Sequence, residues 1–579
     1  MFHRNTFILL LSLLSLLSVK GQSLLFFEQD TIRITNRIGG EHLDSIDFYP
    51  GRMTLTHPGG AQEHIFGSDQ TDYVHYLDRA RRTFPARSTM KQAFSALPHL
   101  GFFYQFGSKG LQQLHLDYQQ QWGKRTAFNL LLEQDKLGEM MRHGRFNQQQ
   151  FQWNIYHHRE QFRALLEFSM RQSEVGYNFG LNDSLSANDF ALSILRVGNT
   201  EAQVKRRQFL VQGSYEWDWL KDSLTAFGWT QQMNWQNQHR EYRDSLNMTS
   251  KYSLFYLDSN RTRDQYQLAS ASAMSGLFWR KKGLSTELLY GMKYWDYQNL
   301  GKHLDTVETA VHWNLRWDQG AWRFRNQASA HLSGAIGSWM SVGNLEYRQK
   351  SWRAMLHYRF QEALPDPYWR RYYANSSRWK LDQLSTEGQR ELGAKITGVG
   401  TWKSQLGVVY KQWLNPYLFV VDRWRNDSLT SLNALQLQVR TTIPLRAFGL
   451  HLYGALNPVK EDIVPQYDFR ARLFFRKKLF KAQKFDWVIA LETRYQDRFQ
   501  LWSIDPVLDL NRLDVPGAVM KKAVVELNVM TAFQIDEFRF FVALENVDYF
   551  WNDADRIDLM NYPVTPNVLR LGLSWDFFN

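Results

Sequence analysis

Through most of its length the chain alternates apolar and polar residues with a period of two. Phe162, Ala164, Leu166, Phe168 and Met170 share one face of a segment whose other face carries Arg163, Glu167 and Arg171. Trp352, Ala354, Leu356, Tyr358 and Phe360 alternate with Arg353, His357 and Arg359 in the same way. So do Tyr467, Phe469, Ala471, Leu473 and Phe475 with Asp468, Arg470, Arg472 and Arg476, and Phe485, Trp487, Ile489 and Leu491 with Asp486 and Glu492. A period of two means β-strands with one apolar and one polar face. Each run lasts about 10 residues, the length that a tilted strand needs to cross a bilayer. Trp313, Leu315 and Trp317 lead through Asp318-Gln319-Gly320 into Trp322 and Phe324, a hairpin with aromatics at its turn. Very short links (121–124, 158–161) occur beside long polar segments (172–204, 239–264, 362–388). That asymmetry belongs to transmembrane barrels, which have short turns at one end and long loops at the other. The pattern predicts an all-β chain, a transmembrane antiparallel β-barrel of about 18–22 strands. The barrel occupies residues 99–579, with a first strand near Gly101–Phe106. Residues 22–98 lack the pattern and are expected to form an N-terminal periplasmic arm or small plug.

Composition sharpens this picture. Met1–Arg4 is a short basic region and Phe7–Val19 an apolar one, followed by Lys20-Gly21-Gln22. Residues 1–21 therefore read as a secretory signal peptide removed from the mature protein. The absence of cysteine excludes disulfides, thiol catalysis and a lipidated N-terminal Cys. No later stretch is long and apolar enough for a membrane-spanning helix. A mean hydropathy of −0.48 is compatible with a barrel, because half of each strand faces a wet lumen. The 22 Trp and 27 Tyr suit the aromatic girdles at the two membrane interfaces. The formal charge of +12 would suggest nucleic acid in a soluble protein. Here the basic residues are spread along alternating strands, which favours a basic lumen or an anionic lipid surface and no nucleic-acid partner.

The last strand carries the most specific signal. Leu569, Leu571, Leu573, Trp575 and Phe577 alternate with Arg570, Gly572, Ser574, Asp576 and Phe578. Arg570-x-Gly572-x-x-Trp575-x-Phe577 resembles the C-terminal signal read by the barrel-assembly machinery, with Phe578 and Asn579 added beyond its terminal aromatic. Outer-membrane lipid and that machinery are thus the expected partners. The chain also resembles the Putative porin family of Bacteroidota. The matching pieces are Tyr104 to Gln112, which open the barrel, Leu544-Glu545-Asn546 before Tyr549-Phe550, and Tyr562-Pro563-Val564-x-Pro566 leading into the last strand. The resemblance implies a Gram-negative transmembrane barrel with pore activity and supplies no catalytic residues.

Candidate chemistry is sparse. His312 and His451 read as ordinary lumen residues, and the adjacent His157 and His158 point to opposite faces of a strand, where they cannot readily share a metal. No nucleotide-binding loop is present, so no catalytic, cofactor-binding or metal site is assigned. The polar parity of the strands, however, carries Arg163, Arg316, Arg323, Arg325, Arg353, Arg359, Arg470, Arg472 and Arg476. Arginine forks onto carboxylates and phosphates, and rings of arginine favour anions in pores. The alternative is structural: these arginines neutralise inward Glu167, Asp468 and Glu492 and hold the wall together. Asp-Ser-hydrophobic triplets at Asp44, Asp183, Asp222, Asp244 and Asp427 resemble an O-glycosylation acceptor pattern, although Asp-Ser also simply marks turns.

The expected function is passive or weakly selective passage of small polar or anionic solutes through an arginine-rich lumen. The alternative is an occluded accessory barrel, partner in an envelope secretion or surface complex. An energy-coupled transporter needs a folded plug of roughly a hundred residues or more, and residues 22–98 are too few for one. A hydrolase would need a Ser/His constellation. Oligomerisation stays open.

Overall fold

The computed structural model describes residues 97–578, apart from 140–141, 182–195, 223, 246–254, 366, 382–384, 399–403, 416–417, 421–422, 426–430, 460–464, 501–502, 506, 509, 513–519, 522, 552–556, 560–561 and 564–566. The expected signal peptide and nearly all of the expected arm lie outside the described residues. One closed antiparallel sheet of 22 strands dominates the structure. Its strands are β1 (His99–Gly107), β2 (Gln112–Trp122), β3 (Thr126–Leu137), β4 (Phe146–His158), β5 (Phe162–Gly176) and β6 (Gln203–Lys221). Then come β7 (Thr225–Asp244), β8 (Thr262–Lys281), β9 (Leu284–Asn299), β10 (Lys302–Gln319), β11 (Trp322–Ser333) and β12 (Trp339–Arg348). The remainder are β13 (Trp352–Ala363), β14 (Glu387–Gly398), β15 (Gln405–Leu414), β16 (Ser431–Leu445), β17 (Phe448–Val459), β18 (Tyr467–Leu479), β19 (Phe485–Gln496), β20 (Val524–Ile535), β21 (Phe538–Glu545) and β22 (Val568–Phe578). Successive strands pair, and β22 closes the ring on β1 with Trp575 opposite Phe102 and Leu573 opposite Tyr104. Closure leaves no exposed sheet edge, which is what makes a β-structure tolerable in lipid.

The exposed large hydrophobics on the strands, among them Leu166, Trp235, Leu277, Leu288, Tyr294, Trp313, Leu356, Leu473 and Trp575, belong by register to one strand parity. That parity is the outer, lipid-facing one. Aromatic pairs gather at the short-turn end: Trp122 stacks on Phe128, Trp219 meets Phe227 and Trp229, Trp322 meets Tyr347, and Trp575 stacks on Phe577 at 4.4 Å. They form the girdle at one membrane interface. Barrels of this kind carry their short turns on the periplasmic side, so this is the periplasmic end and the long loops are external.

The external boundary of the lipid band can be read across eight consecutive strands. From β3 to β10 one register line runs Leu130, Trp153, Phe168, Val211, Trp235, Ala271, Tyr294 and Val307. The line four residues nearer the loops runs Gln134, Gln149, Gln172, Arg207, His239, Gln267, Gln298 and His303. Apolar gives way to polar within that interval. Sequence alternation had placed 172–204 and 239–264 in links, yet β5 continues to Gly176 and β7 to Asp244, while β6 begins at Gln203 and β8 at Thr262. Above the lipid both strand faces are polar, so the period-two signal disappears although the hydrogen-bond ladder continues.

The wall is consequently uneven. β6, β7 and β8 have 19, 20 and 20 residues, whereas β12 and β21 have 10 and 8. Strands tilted by about 40° climb roughly 2.5 Å per residue, so the long ones stand on the order of 10–20 Å above the band. On the inner face Phe474, Val488, Ala490, Met530, Ala532, Phe541 and Ala543 form a buried apolar patch on β18–β21, with Phe103 of β1 against it.

Candidate functional site

All nine arginines singled out in the sequence share the parity opposite to the lipid face and so point inward. Their surroundings divide them into two groups. Arg163 is clamped between Glu216 (3.0 Å) and Asp218 (2.9 Å), and Glu216 also receives Arg280 at 2.7 Å. Arg472 pairs with Glu492 at 2.7 Å, and Arg476 with Asp486 at 2.6 Å. Arg494 forks onto Asp468 through Nε and Nη2, with Arg470 directly opposite it. Glu167 instead takes hydrogen bonds from Gln152 and Gln212. These are ladders that knit neighbouring strands.

The wall from β10 to β16 differs. Below the loop rim its inner face carries Arg316, Arg323, Arg325, Arg348, Arg353, Arg359, Lys395, Lys411 and Arg440 against Glu308, Asp318, Glu346 and Glu391. Arg316 bonds Asp318 at 2.6 Å, while Glu346 is shared by Arg348 (2.7 Å) and Arg353 (3.5 Å). His357 lies 3.3 Å from Glu391. Positive charge still exceeds negative. Arg316 stands directly opposite Arg325 and Arg348 opposite Arg353, as Arg206 does opposite Arg240 and Arg470 opposite Arg494 in the ladders. What sets β10–β16 apart is the excess of these nine cations over four carboxylates on its inner face. Together they set up a positive inner field able to draw anions into the lumen.

Sequence reasoning missed the external mouth. The link between β13 and β14 holds α1 (Pro367–Arg370) and a small hairpin of Arg371–Tyr373 with Arg378–Lys380. Tyr368, Trp369, Tyr372 and Trp379 from this link are buried together. Tyr368 packs on Tyr266 of the inner β8 face at 5.0 Å, Tyr372 stacks on Trp379 at 4.6 Å, and Arg370 lies over Trp295 of β9. Asn375 is the tie. Its Oδ1 accepts from the backbone of Leu257 and Asp258, and its Nδ2 donates to Asp258 O and Thr262 Oγ1. Its own N–H donates to Asp264 Oδ1 at 2.7 Å, and Tyr373 N–H to Asn299 Oδ1. From the far side of the barrel, the link between β19 and β20 reaches the same place. Arg240 of β7 donates to Val507 O at 2.5 Å, and the Tyr368 hydroxyl donates to Leu508 O at 3.0 Å. Burial holds the Tyr368 phenol well above its ordinary pKa, so it stays a donor at any physiological pH. One apolar cluster thus runs from Leu111 and Val568 through Tyr177 and Val197 to Tyr368 and Leu508, uniting loops from around the mouth into a lid. Two prolines beside a dense aromatic run, Pro365 to Tyr373, were the available signal.

The terminal motif is structural throughout. Arg570 bonds buried Glu545 of β21 at 2.9 Å. A Cβ on Gly572 would stand 2.3 Å from the Phe541 ring, so glycine lets that ring lie flat across the seam. Trp575 and Phe577 face lipid at the periplasmic girdle. With the seam closed on the family's opening segment, a family profile described as Putative porin matches residues 102–579. The chain belongs to the Putative porin family. No curated protein matches it. Solved structures supply the fold of this porin-family barrel. The FrpB iron transporter from Neisseria meningitidis is similar with TM-score 0.58 and 9% identity, covering 83% of each chain. The siderophore receptor PirA from Acinetobacter baumannii gives 0.58 and 10%, covering 84% of this chain and 81% of that one. The copper transporter OprC gives 0.59 and 9%, with coverages of 84% and 81%. The protein is an outer-membrane β-barrel.

Other candidates in this porin-family barrel resolve simply. His157 faces outward, 2.9 Å from Thr126 Oγ1, while His158 faces inward. His451 is inward, 2.8 Å from Thr442 Oγ1, and His312 faces the lumen from β10. Among the described residues, no group of His, Cys, Asp and Glu could hold a metal. Asp222 accepts from the N–H of Leu224 (2.7 Å) and Thr225 (2.6 Å), and the Leu224 N–H, the larger influence, lowers its pKa. That is the turn-marking role of Asp-Ser. Asp244 bonds Asn199 at 2.8 Å, and the triplets at Asp44, Asp183 and Asp427 lie outside the described residues.

Proposed function

We propose that this barrel is a conduit for small anionic solutes, entered past the external lid and guided along the positive wall of β10–β16. The observation that carries the reading is the excess of inward cations over carboxylates on this wall, Arg316, Arg323, Arg325, Arg348, Arg353, Arg359, Lys395, Lys411 and Arg440 against Glu308, Asp318, Glu346 and Glu391. Asp318 and Glu346 meet part of this charge, and a passing carboxylate or phosphate can pair with the remainder. The ladders of β5–β8 and β18–β19 serve as the rigid frame. No catalytic step or cofactor is assigned. Outer-membrane lipid surrounds the barrel, and the assembly machinery is its natural reader at β22.

The test is the reversal potential of single channels across a potassium chloride gradient. Wild-type protein is expected to prefer chloride. Changing Arg323, Arg325 and Arg359 to Gln exposes Glu346 and Glu391 and should move the preference toward potassium. Cation preference in the wild type sinks the proposal. A second reading, an occluded barrel opened only by a partner, draws support from the lid. It predicts near-silent wild-type channels with the arginine field intact, apparent only once the lid is cut.

A further inference from the structure

The outer surface of β5–β8 just above the lipid band is strongly basic. Lys205 and Arg207 of β6, Arg243 of β7 and Arg263 of β8 lie there on the outward parity, with Glu174 and Glu241 among them. Glu174 is bonded by Arg145 and Lys205, each at 3.2 Å, and Glu241 by Arg243 (2.8 Å) and Arg263 (2.7 Å). The two carboxylates organise the cations without neutralising them. Arg243 and Arg263 stand directly opposed across the β7–β8 ladder, with side chains 47% and 64% exposed. A solvated lumen does not explain this pair, since it faces away from the lumen.

A second feature lies directly beneath. On the outer face of β8, Ala269, Ala271 and Ala273 follow one another at alternate positions. Ala271 and Ala273 lie between Trp235 and Met233 of β7 and Tyr294 and Met292 of β9, of which Trp235, Tyr294 and Met292 are exposed, while Ala269 at the upper end lies between Asn237 and Asp296. Three methyl groups between tall side chains make a trough about one alkyl chain wide, running up the lipid-facing surface toward Arg263. The trough ends two outward positions, Gln267 and Gln265, short of the exposed guanidinium of Arg263, an order that suits an acyl chain carried on a phosphorylated sugar headgroup.

We infer that this face binds a phosphorylated glycolipid of the outer leaflet, one acyl chain in the β8 trough and a phosphate on Arg243 and Arg263. Guanidinium forks match phosphate oxygens in two-point fashion, and basic clusters at a headgroup plane recognise anionic lipids. The acidic stretch beyond, Asp296 and Asp305 bridged by His303 at 2.7 and 3.6 Å, limits the site to β5–β8.

Native mass spectrometry of the purified full chain measures the binding, with bisphosphorylated lipid A, dephosphorylated lipid A or phosphatidylglycerol added to the micelles. The wild type should retain bisphosphorylated lipid A, and the other two at least about tenfold less. Arg207, Arg243 and Arg263 changed together to Gln should bring lipid A down to that level, while Arg446→Gln, an exposed change in the short turn between β16 and β17, leaves it bound. Ala271→Trp fills the trough and should weaken lipid A without touching a charge. It carries the test alone if the triple variant loses its heat-modifiable fold. Equal retention of dephosphorylated lipid A or of phosphatidylglycerol overturns the inference, as does undiminished binding to Ala271→Trp.

Discussion

Cutting out the lid should raise single-channel conductance several-fold. A barrel of 22 strands, tilted by about 40°, has a backbone diameter on the order of 40 Å. An unobstructed lumen of that width would pass solutes almost indiscriminately, so the structures that fill the mouth set the flow. Replacing residues 364–386 with a short Gly-Ser link removes α1, the small hairpin and Asn375 together. It also strips Leu508 of its Tyr368 partner and so loosens the opposite loop. Asn375→Ala is the gentler version. It abolishes the side-chain bonds to Leu257, Asp258 and Thr262, each worth about 1 kcal/mol, with more lost where a buried partner is left bare. This variant should open more often without a larger fully open step. Unchanged conductance in a deletion variant that still folds to a heat-modifiable barrel would show that the lid is not the restriction. The lid lies outside the membrane band and outside the closed sheet, so its removal leaves the barrel's own ladder intact.

The second large effect is expected at the seam. The Arg570 and Glu545 side chains are only 1% and 3% exposed, so Arg570→Ala strands a carboxylate between β21 and β22. Breaking a buried pair from one side costs about 3–5 kcal/mol. The urea midpoint of the refolded protein should fall markedly, and removing both charges with Arg570→Met and Glu545→Leu should recover much of the loss. Gly572→Val should harm folding by a different route, since its Cβ meets the Phe541 ring at 2.3 Å and that ring cannot shift without uncovering the inner apolar patch. Refolding in detergent, without assembly factors, separates these packing effects from recognition of the terminal signal. If Arg570→Ala refolds with an unchanged midpoint, the ion pair is not what secures the seam.

The arginines illustrate how far residue types alone can go. Parity places Arg163, Arg323 and Arg472 on the same kind of surface, and nothing in their local sequence distinguishes them. Cross-strand register does. It sets Arg163 opposite Glu216 and Arg472 opposite Glu492, but Arg316 opposite Arg325. Register depends on which residue of one strand meets which of the next, over separations that range here from a short turn to a loop of more than twenty residues. An isolated alternating segment carries no record of that choice.

Period-two alternation by itself determined the barrel, its lipid-facing parity, the opening and closing segments and the inward placement of the arginines. It could do so because lipid imposes one apolar face on every spanning strand, whatever its neighbours are. Where that constraint ends, so does the signal. The extra height of β6–β8, the lid built on Tyr368 and Asn375, and the division of the arginines into frame and field were decided by tertiary structure alone. The first two arise outside the bilayer, where water tolerates either polarity on either face, and the third from cross-strand register inside a wet lumen, which local alternation does not encode.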